Sequence, residues 1–218
     1  MDNKRKKRSK KWLWAIPGVL LLLLISIVGG DRFYIYYKEP QQQPDSLYLS
    51  TGDIIVRLTS YYLTESDYAQ YGCLPGHVAI VMSDTVVAAD NIDVHKIEIA
   101  ESSVISRAKK RLTAKVRVES DGDNLNAGYG RRLLVKTKLN KDEKMQLKEF
   151  IQKNKDKPYY LLATKSDTNS FNCSSFVWHA LHEATGIDIA PDVFGELVLP
   201  SDILIYYKNK PEYEIAPF

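Results

Sequence analysis

One of the two cysteines stands where the chain could activate a thiol. Cys173 follows the polar run 166–170 and begins a stretch with helical apolar periodicity at i+3, i+4, i+7, i+8 and i+11. These positions are Phe176, Val177, Ala180, Leu181 and Ala184. The spacing places the thiol at a helix start, on the face that packs against the rest of the fold. The helix dipole and free N–H groups favour a thiolate there, whereas a buried thiol without a base is inert.

A cysteine nucleophile needs a general base, and the chain has four histidines. His179 and His182 lie about 240° and 180° around the predicted helix from the thiol, so they point away from it. Their spacing of three residues departs from the usual zinc-helix spacing of four, and we interpret them as a solvated face. His95 lies among charged residues and is expected to be exposed. His77 begins a continuous apolar run, which predicts a buried strand. A Cys173–His77 pair is therefore favoured over a hydrogen-bonded core histidine.

The imidazole also needs a group that orients it. The run 76–82 predicts one strand and the run 85–89 a second, with a turn between them that suggests a hairpin. On the second strand, Ala88 and Asp90 share a face because side chains alternate. Asp90 is thus the predicted third catalytic residue, and Asp84 in the turn is the alternative.

Charge is distributed unevenly along the chain. The 218 residues carry a formal net charge of +3, but the first eleven residues contain seven basic and one acidic side chain, a net +6. The remainder is therefore at −3, which argues against nucleic acid as a partner.

The uncharged segment at residues 12–30 has the length of a membrane span. Nineteen helical residues extend about 28 Å, close to the hydrocarbon thickness of a bilayer. Trp12 and Trp14 lie at its basic end, as expected of interfacial aromatic residues. A cleaved signal peptide fits less well, because a small-residue cleavage pattern is missing near Gly30. The positive-inside rule places the N-terminus in the cytoplasm and the body outside the cell membrane.

These patterns divide the chain into four parts. Residues 1–11 are a basic cytoplasmic tail, 12–30 a retained transmembrane signal anchor, 31–46 a polar linker with two prolines, and 47–218 the globular domain. In the body, short strand-like runs, one of them at 94–99, and a short helix predicted over 101–111 precede a helix that begins at Asn140, where Glu143 completes a capping-box pattern. A second helix begins at Cys173, and the tail after 199 predicts a last helical turn and a terminal strand. This mixture predicts an α+β fold with a sheet packed on helices.

Five short motifs resemble a known family in their types and order. They are Gly-Asp-Ile-Ile at 52–55, Gly-His-Val-Ala-Ile-Val at 76–81, Lys-Pro-Tyr at 157–159, Asn-Cys-Ser-Ser-Phe-Val at 172–177 and Leu-Pro-Ser-Asp-Ile-Leu at 199–204. Together they resemble the circularly permuted branch of the NlpC-type papain-like amidases, the YiiX-like group, which is related to lecithin:retinol acyltransferase. In that branch the histidine strand precedes the cysteine helix, as it does here.

The resemblance implies an antiparallel papain-like sheet packed on helices, with Cys173 as nucleophile and His77 as general base. It implies that Tyr159 lies near the oxyanion site, and it implies neither a cofactor nor a metal. The family often supplies its third residue as a glutamate before an alanine on the strand after the histidine. Here Val87-Ala88-Ala89 occupies that place, so the orienting residue is Asp90 or is missing.

The expected function is a membrane-anchored extracytoplasmic cysteine amidase or peptidase that forms an acyl-enzyme, with cell-wall peptides as substrate. A lipid amide or ester hydrolase or acyltransferase is the second possibility. A third is an inactive papain-like binding module, suggested by the missing glutamate. In a variant of it, Cys73 and Cys173 form a disulfide, which an oxidising compartment would permit.

Overall fold

The computed structural model describes residues 18–19, 44–57, 76–123, 132–191 and 194–218. Within these ranges lie eight strands and three α-helices longer than one turn. In chain order they are β1 (Ser46–Leu49), β2 (Ile54–Arg57), β3 (His77–Val81), β4 (Thr85–Ala88), β5 (Glu98–Ser106), β6 (Arg111–Ser120), β7 (Arg132–Lys136), α1 (Lys141–Asn154), α2 (Cys173–Thr185), α3 (Pro200–Lys208) and β8 (Glu214–Pro217). The predicted α+β class is confirmed.

Six of these strands form one antiparallel sheet in the order β6-β5-β3-β2-β7-β8. A separate antiparallel pair is formed by β1 and β4. The predicted hairpin between the runs 76–82 and 85–89 is therefore wrong, because β4 pairs with β1, whereas β3 lies between β2 and β5. The register of β3 with β5 aligns Ile80 with Ala100.

Two cores hold the sheet in place. One face packs on the helices through apolar side chains of β2, β3, β7, α1 and α2, among them Val56, Val78, Val135, Leu147, Phe176 and Leu181. The other face packs on the β1–β4 pair through a second set that includes Leu49, Ile55, Val81, Val87 and Ile99. Both faces of the central strands are buried, which explains their continuous apolar runs.

The helices begin where their capping residues predict. Asn140 and Glu143 form the expected capping box before α1. Before α2, the Asn172 side chain accepts from the Ser175 N–H, and the Ser175 hydroxyl accepts from the Asn172 N–H. Gly186 ends α2 in the left-handed region with a φ of 71°.

The region after β4 differs from the prediction. Residues 94–99 do not form one strand, because Val94–Lys96 is a 3-10 helix that contains the exposed His95. The helix expected over 101–111 is also wrong: Glu101 to Ser106 lies in β5, and the chain then turns into β6.

The predicted span at 12–30 lies outside the described residues, apart from Gly18 and Val19, which are helical. The basic tail and most of the linker lie outside them as well. Among the described residues, no helix combines the length and apolar character that crossing a bilayer requires.

Candidate active site

Cys173 is the first residue of α2, as predicted, and its thiol is free and partly exposed. Asn172, which caps the helix, also donates from its side-chain amide to the carbonyls of Leu161 and Ala163, at 3.1 and 2.9 Å. The loop before the nucleophile is thereby bound to the helix start. The thiol therefore lies at the N-terminal end of α2, where the helix dipole favours negative charge.

A buried hydrogen bond fixes the same loop to the sheet. The Ser102 hydroxyl on β5 donates to the Phe171 carbonyl at 2.7 Å. Because Phe171 lies two residues before Cys173, this bond holds the nucleophile against the strand that carries Glu101.

His77 is the first residue of β3 and lies between a carboxylate and the thiol. Its Nε2 lies 2.6 Å from Oε2 of Glu101. Its imidazole is also close enough to the Cys173 thiol for each group to shift the pKa of the other. Since Nε2 is occupied by Glu101, Nδ1 is the nitrogen left for the thiol. The structure therefore brings Cys173 and His77 together, and their catalytic roles stay a prediction.

The carboxylate that contacts the His77 imidazole belongs to Glu101. The prediction that Asp90 orients the imidazole is wrong, because Asp90 lies elsewhere. Asp90 is exposed in the bend after β4. The alternative, Asp84, accepts from the Thr51 N–H at 2.7 Å and lies away from the imidazole. Glu101 reaches His77 because β5, and not β4, pairs with β3 on this side of the sheet. The signal in the sequence was the pair Ala100-Glu101, a glutamate next to an alanine. It lies on the strand that is adjacent to β3 in the sheet, and not on β4, the next strand along the chain.

Three arginines hold Glu101 as a carboxylate. Arg117 donates to Oε1 from both Nε and Nη2, at 3.2 and 3.1 Å. Arg57 donates to Oε2 at 3.0 Å, and Arg107 lies 3.8 Å from the same oxygen. The Glu101 side chain is only 1% exposed. A buried carboxylate requires partners of this kind, because desolvation would otherwise favour its neutral form.

The arginines belong to a larger buried network. Among the described residues it contains four guanidinium groups and four carboxylates: Arg57, Arg107, Arg117, Arg132, Glu101, Glu119, Asp121 and Asp123. Seven of these side chains are at most 8% exposed, and Arg107 is the partly exposed member. Each of these buried charges is paired with at least one charge of opposite sign, as burial requires.

The pKa values follow from these contacts. Burial opposes the charged form of His77, but the Glu101 carboxylate and the thiolate outweigh it, so the pKa of His77 is raised. Burial would raise the pKa of Glu101, yet His77, Arg57 and Arg107 lower it strongly. Burial likewise disfavours the thiolate, but the hydrogen bond and charge of His77 lower the pKa of Cys173 from 9.0 to about 7. The Ser174 hydroxyl and the Val78 N–H act in the same direction. Near neutral pH the site therefore supports a thiolate–imidazolium pair.

Tyr159 lies close to the nucleophile, in the strand-like segment that pairs with Phe171. Burial raises the pKa of its phenol, and the negative charge of Cys173 adds to that effect. The phenol thus stays protonated and can donate a hydrogen bond. The Cys173 backbone N–H is the other donor that the geometry offers to an oxyanion.

The other histidines do not contribute to this site. His179 lies on another face of α2, where its ring stacks at 6.3 Å on Phe150 and meets Trp178 at 4.8 Å. It is therefore packed among aromatic rings and not solvated as predicted, whereas His182 is exposed. Because Cys173 is a free thiol, the structure gives no support to the disulfide with Cys73, a residue outside the described ranges.

No group of three or more His, Cys, Asp or Glu side chains in the described part of the chain is arranged to hold a metal ion.

No protein-family model matches the sequence, and no curated protein matches it. Among solved structures, the fold is similar to one described as the crystal structure of metalloprotein yiiX from Escherichia coli O157:H7, DUF1105. The TM-score is 0.47 and the sequence identity 15%, over 80% of this chain and 97% of that one. At this level of similarity, that structure assigns neither family membership nor activity to the chain.

Proposed function

We propose that this protein is a cysteine hydrolase in which His77 and Glu101 activate Cys173 for attack on an amide or ester carbonyl. The observation that carries the proposal is the imidazole held between a buried carboxylate and a thiol at a helix N-terminus. A nucleophile, a base and an orienting group within mutual reach are the requirement for covalent acyl transfer.

The chemistry follows from the charges in the resting site. The Cys173 thiolate attacks the carbonyl carbon, and its electron pair becomes the new C–S bond while the carbonyl oxygen becomes an oxyanion. In this proposal the Cys173 N–H and the Tyr159 hydroxyl donate hydrogen bonds to that oxyanion. The His77 imidazolium then gives its proton to the departing amine or alcohol as the C–N or C–O bond breaks.

The acyl-enzyme is resolved by the same groups. Neutral His77 takes a proton from water, the hydroxide adds to the thioester carbon, and the C–S bond breaks to release the carboxylic acid and the thiolate. Glu101 stays ionised throughout and fixes the orientation of the imidazole. Because three arginines already stabilise its charge, Glu101 does not compete for the proton of His77.

We further propose that the enzyme is anchored in the cell membrane by residues 12–30, with its globular domain on the extracytoplasmic side. The basic run before that segment and its apolar length support this topology. On that side of a bacterial membrane, wall peptides are the amide substrate we favour, and acyl lipids are the alternative. The binding-module alternative loses the observation that suggested it, because Glu101 supplies the carboxylate that appeared to be missing.

The first test is thiol reactivity. In a Cys73→Ser background, Cys173 should be alkylated by iodoacetamide with a midpoint near pH 7, about 2 pH units below the ordinary thiol value of 9.0. Cys173→Ser in the same background is the blank. A midpoint at or above that of a free thiol would contradict the proposal.

The second test is turnover. Full-length protein in detergent is incubated with wall-derived peptides and, separately, with acyl lipids, and the products are identified by mass spectrometry. Cys173→Ser should abolish product formation, while Asp90→Asn, which changes an exposed carboxylate remote from the imidazole, should leave it unchanged. Full turnover by Cys173→Ser would exclude the proposed nucleophile.

A further inference from the structure

An exposed apolar surface flanks the proposed active site. On the β5–β6 hairpin, Ile105 and Leu112 are cross-strand partners, and Val104 precedes them. On the turn before Cys173, Leu161 and Leu162 project from the surface. Leu112 is 76% exposed and Leu161 66%, and grouped exposed apolar side chains of this kind mark interaction surfaces. We call these five residues, together with the exposed Tyr160, the apolar rim.

The two parts of the apolar rim lie at the same end of the fold. The segment after α1 runs antiparallel to β6: the Tyr159 N–H donates to the Ala114 carbonyl at 2.8 Å, and Lys115 pairs with Pro158. The turn that carries Leu161 follows directly after this ladder, and Leu112 lies two residues before Ala114. The antiparallel direction therefore brings both leucines to one edge.

The rim is structurally connected to the nucleophile. The carbonyl of Leu161 accepts from the Asn172 amide at 3.1 Å, and Asn172 is the residue before Cys173. Tyr159, which precedes the turn, is close enough to the thiol to be affected by its charge. Whatever binds the rim is thus held beside the reacting sulfur.

A cluster of cationic side chains adjoins the rim. Lys109, Lys110 and Arg111 form the hairpin turn that leads to Leu112, and all three are exposed. None of them forms an ion pair with another described residue. Other cations nearby are already neutralised: Lys115 pairs with Asp156, and Arg107 lies in the buried network. Among the described residues, the hairpin end therefore presents three cations without an ion-pair partner next to exposed leucines, and only the exposed Asp156, already paired with Lys115, acts on Lys109 through its charge.

We propose that the apolar rim and the Lys109–Arg111 turn dock on an anionic lipid bilayer, which places the entrance to the Cys173 site at the membrane surface. Large aliphatic side chains enter the acyl boundary of a bilayer, and adjacent cations bind acidic headgroups. Each cation contributes roughly a fivefold preference for an anionic surface, so the three together contribute about two orders of magnitude. A protein partner of mixed polarity would not require exposed aliphatic side chains and three cations side by side at one edge of the fold.

Membrane docking goes beyond the proposed hydrolase activity. Its test measures contact of the apolar rim with acyl chains and not turnover, so the docking proposal and the proposed activity can fail independently. Tryptophan is introduced as Leu161→Trp or, on the other element, Leu112→Trp, in full-length protein reconstituted into vesicles. Quenching of the added fluorescence by brominated phosphatidylcholine reports contact with acyl chains. Ile187→Trp is the matched control, because residue 187 lies beyond the far end of α2, about 20 Å from its start.

The expected result is quenching of both rim tryptophans, but not of the control, in vesicles of phosphatidylcholine with phosphatidylglycerol. Lys109→Gln, Lys110→Gln and Arg111→Gln together should abolish most of that quenching, as should vesicles of phosphatidylcholine alone. Rim tryptophans quenched no more than the control would overturn the proposal. A concentration-dependent blue shift of their emission in detergent alone would indicate self-association and would overturn it as well.

Discussion

Replacing Glu101 by glutamine tests whether this carboxylate controls the nucleophile. The substitution keeps the size of the side chain and removes its charge from a position 2.6 Å from His77 Nε2. The Glu101 charge is the main influence that raises the pKa of His77 against desolvation. The imidazolium is in turn the main influence that lowers the pKa of Cys173 to about 7. Without Glu101, both shifts should diminish.

The size of the effect can be worked out from these values. A thiol with a pKa of about 7 is about half thiolate at pH 7. If its pKa returns to the ordinary value of 9.0, the thiolate fraction falls to about 1%. Alkylation at pH 7 should therefore slow by up to about 50-fold in Glu101→Gln. The midpoint of its pH profile should move upward, and turnover at pH 7 should fall at least as far.

The same substitution also affects stability. Arg57 and Arg117 lose an anionic partner at a buried position, and breaking such a pair costs about 3–5 kcal/mol. Circular dichroism and thermal unfolding must therefore accompany the alkylation profile. Glu119→Gln is the matched control, since Glu119 is a nearly buried carboxylate 3.1 Å from Arg117 that does not contact His77. It should lower stability but leave the Cys173 midpoint near 7.

Two results would refute this reasoning. One is a folded Glu101→Gln variant with an unchanged alkylation midpoint. The other is an equal midpoint shift in Glu119→Gln, which would mean that the network as a whole, and not the contact with His77, sets the thiol pKa. Glu101→Asp keeps the charge and should restore part of the reactivity.

Two further substitutions test the elements that position the site. Asn172→Ala removes the helix cap and the amide that binds the carbonyls of Leu161 and Ala163. The free energy of unfolding should fall by about 1–2 kcal/mol, and alkylation of the Cys173 thiol should slow. Unaltered values for both would contradict the role of the cap. Gly122→Ala adds a Cβ to a residue whose φ is 64°, and places it 2.6 Å from the Ala108 backbone nitrogen. We expect a lower melting temperature by calorimetry. An unchanged melting temperature would show that the turn can relax.

The parts of the fold that were predictable from sequence share a local cause. Asn140 and the position of Cys173 could be interpreted because capping and apolar periodicity act within a few residues. His77 could be selected because it begins a continuous apolar run. Each of these signals can be recognised in a single sequence, since it depends only on residues that are close along the chain.

Glu101, the carboxylate that contacts His77, was missed because its signal depends on pairing between distant segments. β5 contains Glu101, Ser102 and Ser103, all buried, so it lacks the apolar pattern of a core strand. The partner of β3 was assumed to be the next run along the chain, but that run pairs with β1. An analysis of hydrophobic periodicity does not detect a strand whose buried residues are charged or polar and are paired with distant parts of the chain.

The buried network behind the site restricts how the protein can change over generations. Losing Asp121 would remove an anionic partner from Arg132, which is completely buried, and from Arg57 as well. A buried ion pair can be replaced as a whole by apolar side chains of similar volume at little cost, whereas removing one partner is destabilising. Because Asp121 is shared, sequences descended from a common ancestor should keep Asp121, Arg57 and Arg132 together or exchange them as a set. Glu101 contacts His77 as well as the arginines, so its replacement would also need a new partner for the imidazole.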